Sequence, residues 1–346
     1  MNKFLVLGYF GNKTAKIDGQ TVKTHNVCEL LTDYVKSDVD TFDTEDLKFN
    51  KLSVLKMLWK LMRCNTLCYL PAHGNLRVIF PIVYVLSVVF RFKIHYFVVG
   101  GWLGDFLETL PLHRKMLAKI SGIHVETKRL KQQLEESYDF KNVDLFPNFR
   151  DFSYNVDKFE QELKGRFGIK ECMHIAFVSR VEQSKGLDTL VEISKLLELK
   201  GLSDRIVFDF YGPKKDSYFD SFLAMNEMFE YKGVLRPDEV IDTLKMYDAL
   251  IFPSHYEGEG CPGILVEALS VGLPIIASDW KFNGEFVEER VTGFLCKTFD
   301  ANAYVEAISL LLNDVDLRYK MSKHAYEKSF FFSIDNAKNL LMDILH

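Results

Sequence analysis

Apolar and polar positions along this chain fall into two alternating patterns. Short, mainly apolar runs of strand length occupy Lys3 to Gly8, Ile94 to Val99, Ile123 to Glu126 and Val143 to Pro147. They recur at His174 to Ser179, Ile206 to Tyr211, Ala249 to Phe252 and Pro274 to Ala277. Runs of this kind suit strands buried on both faces of a parallel sheet. Between them lie helical stretches: Asn26 to Lys36, Leu112 to Ser121, Lys128 to Ser137, one from Thr189, Ala301 to Leu312, Leu317 to Phe330 and Ile334 to His346. Strands alternating with helices predict an α/β chain of doubly wound, Rossmann-like sheets. Its 346 residues are enough for two such domains. Pro147-Asn148-Phe149-Arg150 closes a strand, and the charged, aromatic stretch 151–169 has no strand pattern and reads as containing the linker.

The richest chemistry lies between Ser254 and Ser278, SHYEGEGCPGILVEALSVGLPIIAS. It reads as a Gly-rich loop after a strand, a short helix, then another strand. Pro at a helix start loses nothing by lacking an N–H, so Pro262 marks where the helix begins. The N–H groups of Gly263, Ile264 and Leu265 would then form an anion site at its N-terminus. Gly258, Gly260 and Gly263 would allow close backbone approach to a ligand. Glu259 and Glu267 flank the turn and can accept hydrogen bonds from hydroxyls. Upstream, Arg180 ends a strand and Lys185-Gly186 precedes a helix. An Arg fork and a Lys point charge at that spacing can converge on a diphosphate. Phosphate donors beside hydroxyl acceptors suit a nucleotide sugar.

At these residues the chain resembles the retaining glycosyltransferases of family four, which have the GT-B fold. Glu259 and Glu267 match its Glu–seven residues–Glu pattern; Gly260, Pro262, Ala268, Gly272, Leu273 and Pro274 fall where its motif has them; Arg180, Lys185 and Gly186 match its R-x4-K-G pattern. The resemblance covers roughly Ile175 to Leu295 and is weaker in the first half. It implies two Rossmann-like domains facing a central cleft, 1–155 with the terminal helix 334–346 returning to it, and 156–333. It implies a nucleotide-sugar donor, most often UDP-linked, as substrate, with no cofactor and no metal. Arg180 and Lys185 would hold the pyrophosphate, Glu259 the donor sugar and Glu267 the ribose, with Val234 and Leu235 bordering the base. The acceptor would be a hydroxyl of a glycan or lipid-linked saccharide, as in assembly of bacterial surface polysaccharides. Two other readings stay open: a UDP-sugar epimerase or hydrolase on the same fold, for which no acid–base pair is visible, and a non-catalytic, membrane-associated scaffold with a decayed donor site, against which the intact motif argues.

In the first half, the glycine turn after the first strand brings in Gly19, Gln20 and Lys23 as candidate cleft residues. Gly100, Gly101 and Trp102 follow the strand Ile94 to Val99, where the resembling family commonly has a histidine; Trp102 offers a ring for a sugar or for packing. His95, inside that strand, reads as a core residue. Asn283, Gly284 and Glu285 follow another strand and are further cleft candidates.

Charge changes the picture in one place. Net charge is −5, which gives no pull toward nucleic acid. Yet from Leu47 to Gly104 there is no Asp or Glu and there are eight basic residues, Lys48, Lys51, Lys56, Lys60, Arg63, Arg77, Arg91 and Lys93. Leu52, Leu55, Trp59 and Met62 share one helical face beside Lys56, Lys60 and Arg63. That pattern fits either an interfacial helix on an anionic membrane or an amphipathic helix packed on its own sheet. The apolar run Val78 to Phe90 is shorter than the roughly 20 residues a span needs and reads as a buried helix. The six scattered cysteines lack zinc-site spacing and read as reduced thiols of a cytoplasmic protein, peripheral to the inner membrane face if the basic region binds there. The triplets Asp38-Val39-Asp40 and Asp314-Val315-Asp316 read as cap and solvent positions rather than metal ligands.

Overall fold

The structure, a computed structural model, describes residues 3–14, 18–34, 38–152, 154–166, 172–215, 218–223 and 226–345. The chain divides into two compact units, Met1–Phe149 with Asp335–His346, and Arg150–Ile334. The division falls at Phe149/Arg150, slightly before the expected position. The stretch expected to contain the linker carries a helix, Val156–Arg166. Its Phe159 ring stacks on Tyr326, with centroids 3.9 Å apart. Residues 153 and 167–169 of that stretch lie outside the described residues.

The first unit is built on β1 (Lys3–Gly8), β2 (Asp38–Asp43), β3 (Thr66–Leu70), β4 (Lys93–Phe97), β5 (Gly122–Val125) and β6 (Val143–Leu145). The order is β2-β1-β3-β4-β5-β6, and every pairing is parallel. Leu5, Val6, Leu7, Leu67 and Cys68 are all buried, as strands covered on both faces require. The first helix, Gly19–Tyr34, begins earlier than the apolar period suggested. Parallel strands joined by right-handed crossovers put this helix on one face of the sheet. The same rule puts Ser53–Leu61, Phe80–Phe90, Pro111–Leu117 and Lys128–Tyr138 together on the other. Phe80–Phe90 is not the buried helix its composition suggested: only Phe80 and Val83 are buried.

The second unit has β7 (Met173–Val178), β8 (Ile206–Tyr211), β9 (Phe229–Gly233), β10 (Ala249–Phe252), β11 (Ile275–Ser278) and β12 (Gly293–Cys296). The order is β12-β11-β10-β7-β8-β9, again all parallel. This is the doubly wound arrangement whose strand order reverses between β7 and β10. Its core packs Leu187, Leu190, Ile193 and Leu197 from one helix with Tyr304, Ile308 and Leu311 from another. All six cysteines are free thiols. Asp314 caps the helix Val315–Ser329 by accepting from the Leu317 N–H at 2.8 Å. Asp38 and Asp40 open the edge strand β2, where they pair with Lys3 and Lys60.

Candidate functional site

Ligands of doubly wound sheets bind outside the carboxyl ends of the strands, where the strand order reverses. In the second unit that point lies between β7 and β10, and the loops leaving these strands carry Arg180, Lys185 and Glu259. The backbone stitches the two loops together. The His255 N–H donates to the Ser184 carbonyl at 3.0 Å. Gly186 has φ +89°, and a Cβ there would stand 2.3 Å from the Pro253 carbonyl oxygen. The glycine after Lys185 therefore permits the left-handed turn and the close approach of the β10 loop at once.

Three charged groups meet at this seam. The buried Lys185 ammonium pairs with Oε1 of the buried Glu259, which also accepts from Ser254 Oγ at 2.7 Å. Ser254 is anchored in turn: its carbonyl accepts from Ser278 Oγ, and Asn283 Nδ2 donates to the Ser278 carbonyl at 3.0 Å. Asn283 is thus a fully buried brace rather than a lining residue. Arg180 lies 3.0 Å from Glu182 Oε1. Tyr256, which the motif reading passed over, holds both cations over its ring, with Lys185 Nζ 4.5 Å and Arg180 Cζ 5.1 Å from the centroid. A Cβ on Gly258 would stand 2.6 Å from that ring, so this glycine makes room for Tyr256.

The helix carrying the second motif carboxylate is Gly263–Ser270, with Pro262 as its N-cap. Of the three N–H groups expected to face an anion, that of Leu265 is engaged by the Pro262 carbonyl at 3.1 Å, and Leu265 is buried. Gly263 and Ile264 are half-buried, and Gly260 is buried in the preceding loop. Glu267 is held by Arg150, Nε to Oε1 2.6 Å. A Cβ on Gly263 would lie 1.9 Å from Arg150 Nη2, so Gly263 makes room for this guanidinium. Arg150 also donates its backbone N–H to the Phe332 carbonyl at 3.0 Å. No sequence pattern pointed to it, because Glu267 is 117 residues away. Val234 and Leu235 follow the edge strand β9, two strands from β7, and Val234 is largely exposed.

The candidates of the first unit gather at the carboxyl ends of its strands. Gly19 is exposed at the start of its helix, and the Gln20 amide donates to the Leu70 carbonyl at 2.9 Å. Lys23 departs from its expected role. It is fully buried, donating to Glu126 Oε1 at 2.8 Å and to the Phe146 carbonyl at 3.1 Å, and so acts as an internal tie. Glu126 accepts the Gly100 N–H at 3.0 Å on its other oxygen, joining the two glycine-containing turns. Gly101 and Trp102 are half-buried. The Trp102 indole donates to the Val99 carbonyl at 2.8 Å, and its ring packs on His73 and Phe106, centroids 5.0 and 5.3 Å away. His95 stacks on His124, with Nδ1 3.1 Å from the partner's Nε2. Burial pulls the His95 imidazole down to about 4 and His124 well below its ordinary value. Among the described residues, no group of three or more His, Cys, Asp or Glu is placed to hold a metal ion.

The family model described as Glycosyl transferases group 1 matches residues 160–328, inside the unit that carries these loops. That match takes in most of the second unit. Proteins similar to this chain include the alpha-D-kanosaminyltransferase of Streptomyces kanamyceticus, 22% identical over 47% of this chain and 42% of that enzyme. The chain therefore spans less than half of that relative's length. The amylovoran biosynthesis glycosyltransferase AmsK of Erwinia amylovora is 22% identical over 90% of this chain and 85% of its own. Among solved structures, Anabaena HepE in complex with UDP and glucose matches with a TM-score of 0.72 at 14% identity, over 100% of this chain and 99% of that one. That likeness spans both sheets and shows the GT-B fold.

Proposed function

We propose that the protein is a glycosyltransferase that moves a sugar from a nucleotide-sugar donor, UDP-linked, to a hydroxyl of a glycan or lipid-linked acceptor during assembly of a bacterial surface polysaccharide. The observation that carries this reading is the meeting of Arg180, Lys185 and Glu259 where the strand order reverses in a group 1 glycosyl transferase unit. The HepE complex with UDP and glucose and the amylovoran role in the AmsK name support the donor and the pathway class.

In this reading the donor diphosphate lies against Arg180, Lys185 and the Gly263 and Ile264 N–H groups. As the sugar–phosphate bond breaks, negative charge grows on the leaving oxygen. Cations already in place stabilise that charge more in the transition state than in the ground state. Glu259 accepts from donor-sugar hydroxyls, Glu267 from the ribose, and Val234 and Leu235 border the base. Tyr256 keeps the two cations together before the donor arrives. The acceptor attacks on the face the diphosphate leaves, with a phosphate oxygen taking its proton, so configuration is retained and no metal is used.

The test is a thermal-shift screen with UDP, GDP, dTDP and CMP, followed by turnover of the matching sugar nucleotides. A nucleotide at about 100 times its Kd adds ~2.7 kcal/mol to stability. Arg180→Ala should abolish that shift and slow transfer by on the order of 10²-fold or more, as for loss of an oxyanion donor. Near-normal turnover in Arg180→Ala refutes the assignment.

A further inference from the structure

Two neighbouring helices on one face of the first unit are apolar on the side that meets the sheet and apolar again on the side that meets solvent. In Ser53–Leu61 the inward stripe is Met57 and Leu61, continued by Cys64. Leu52, Leu55, Trp59 and Met62 fall on the opposite side of the helix by their spacing. They are exposed, Leu52 at 72%, Leu55 at 65% and Trp59 at 50%. The stretch His73–Phe90 repeats the arrangement. Leu76, Phe80 and Val83 face inward, while Val78, Ile82, Val85 and Val89 form an outer stripe, Val78 at 68% and Val89 at 64% exposure. A helix that is apolar all round is normally covered on both sides. Contiguous exposed patches of this kind mark interaction surfaces.

Charge identifies what covers the face. Six of the eight basic residues of the acid-free run 47–104, all but Lys48 and Lys93, belong to these helices and their ends, in a chain whose net charge is −5. Lys60 is tied to Asp40 and the Thr41 carbonyl. Lys51, Lys56 and Arg63 are exposed beside the outer stripe of the first helix, and Arg77 and Arg91 bracket the second. Arg63 lies over the Trp59 ring, 4.6 Å from its centroid. A second copy of the chain on a twofold axis would bring these cations against each other. A nucleic acid would match the cations but not a stripe of Val and Ile. Anionic lipid satisfies both: headgroups meet Lys and Arg while Leu, Val, Ile and the Trp ring enter the interfacial layer. Among the described residues no helix is long and apolar enough to cross a membrane, so the contact is one of lying on the surface.

We propose that this face of the first unit docks on an anionic lipid bilayer. The contact uses none of the residues assigned to the donor and holds with or without it. The test uses the full chain, mixed with vesicles of phosphatidylcholine alone or of phosphatidylcholine with phosphatidylglycerol, and reads co-sedimentation and tryptophan emission. The protein should sediment with the phosphatidylglycerol vesicles only, less so as salt rises. A blue shift should accompany binding and disappear in Trp59→Phe. Each lysine near an anionic surface is worth roughly 5-fold, so Lys51→Ala with Lys56→Ala should weaken binding about 25-fold. Val85→Asp with Val89→Asp should remove binding while leaving the circular dichroism spectrum and the cooperative melt intact, which shows that the variant is folded. Equal binding to both vesicle types overturns the proposal. So does failure to bind either, and so does a dimer that Val85→Asp with Val89→Asp makes monomeric, since that outcome gives the face to a second copy.

Discussion

Replacing Lys185 by methionine separates what the residue does for the fold from what it does for transfer. Its ammonium is buried against Glu259 Oε1, and the remaining described donor to that oxygen is the Ser254 hydroxyl at 2.7 Å. Lys185→Met therefore leaves a buried carboxylate with one neutral donor. Breaking a buried pair from one side costs about 3–5 kcal/mol, mostly because the surviving charge is stranded. For a unit of the size of Arg150–Ile334, each kcal/mol lowers Tm by roughly 2–4 °C, so a fall of about 6–20 °C is expected. Adding Glu259→Gln removes the stranded charge while still accepting from Ser254, and should restore most of the loss. Activity should behave differently. Both single variants and the double should be slow, because the diphosphate lacks its cation in Lys185→Met and the double, and the donor sugar lacks its carboxylate in Glu259→Gln and the double. Calorimetry of the full chain gives the stabilities, and donor turnover gives the rates. An unchanged Tm in Lys185→Met, or a double variant less stable than either single, refutes the pairing. Recovery of turnover in the double refutes the chemical role.

Two further outcomes concern stability first. Gly186→Ala must place a Cβ 2.3 Å from the Pro253 carbonyl at φ +89°, so about 2 kcal/mol or more should be lost, and nucleotide affinity should fall because Lys185 precedes it. Unaltered melting and binding in this variant refute the stitched-loop geometry. The His95–His124 pair makes stability depend on pH. Burial depresses the folded His95 value to about 4 from 6.5, with the Lys93 charge pushing the same way, and burial with the neighbouring His95 and Lys23 holds His124 low as well. The stabilisation is complete above pH 6.5 and is lost as pH falls toward 4, by roughly 3 kcal/mol for a shift of this size. Urea unfolding between those pH values measures it; a flat profile refutes the buried neutral pair, and His95→Leu with His124→Leu should flatten it.

The sequence pattern located strands whose runs are mainly apolar and set apart by polar turns, and missed those that are mainly polar or lie close to apolar helices. β8 and β10 have the expected ends because Ile206–Tyr211 and Ala249–Phe252 are covered on both faces. β2 reads DVDTFD and sits at the sheet edge with its acidic end exposed, so it carries no apolar run. β9, FEYKG, is likewise an edge strand, and within it Lys232 pairs with Glu230. β3, TLCYL, is fully buried but stands between two apolar helices, where a short apolar run is not distinguishable by period. The site divides along the same line. Arg180, Lys185 and Glu259 could be singled out as candidates from the sequence because each lies close after a strand end. Arg150, Glu126 and Ser278 act on partners far along the chain, and their roles appear only once the sheets bring those partners together.

The helices of the first unit show a different limit. The spacing Leu52, Leu55, Trp59, Met62 marks an apolar stripe, but a stripe has no sign: it does not say which side meets the sheet. A reading that takes the larger stripe as the core turns Ser53–Leu61 round, because its larger stripe is the outer one and the inner contact is made by Met57 and Leu61. In Phe80–Phe90 the two stripes are equally apolar, so periodicity vanishes and the segment looks like a buried helix. Burial alone separates the cases. An excess of apolar positions over those the sheet can cover, next to a run without acids, is itself a signal of a second surface. That signal was present at Leu47 to Gly104 in composition and became a face only when the inward residues were known.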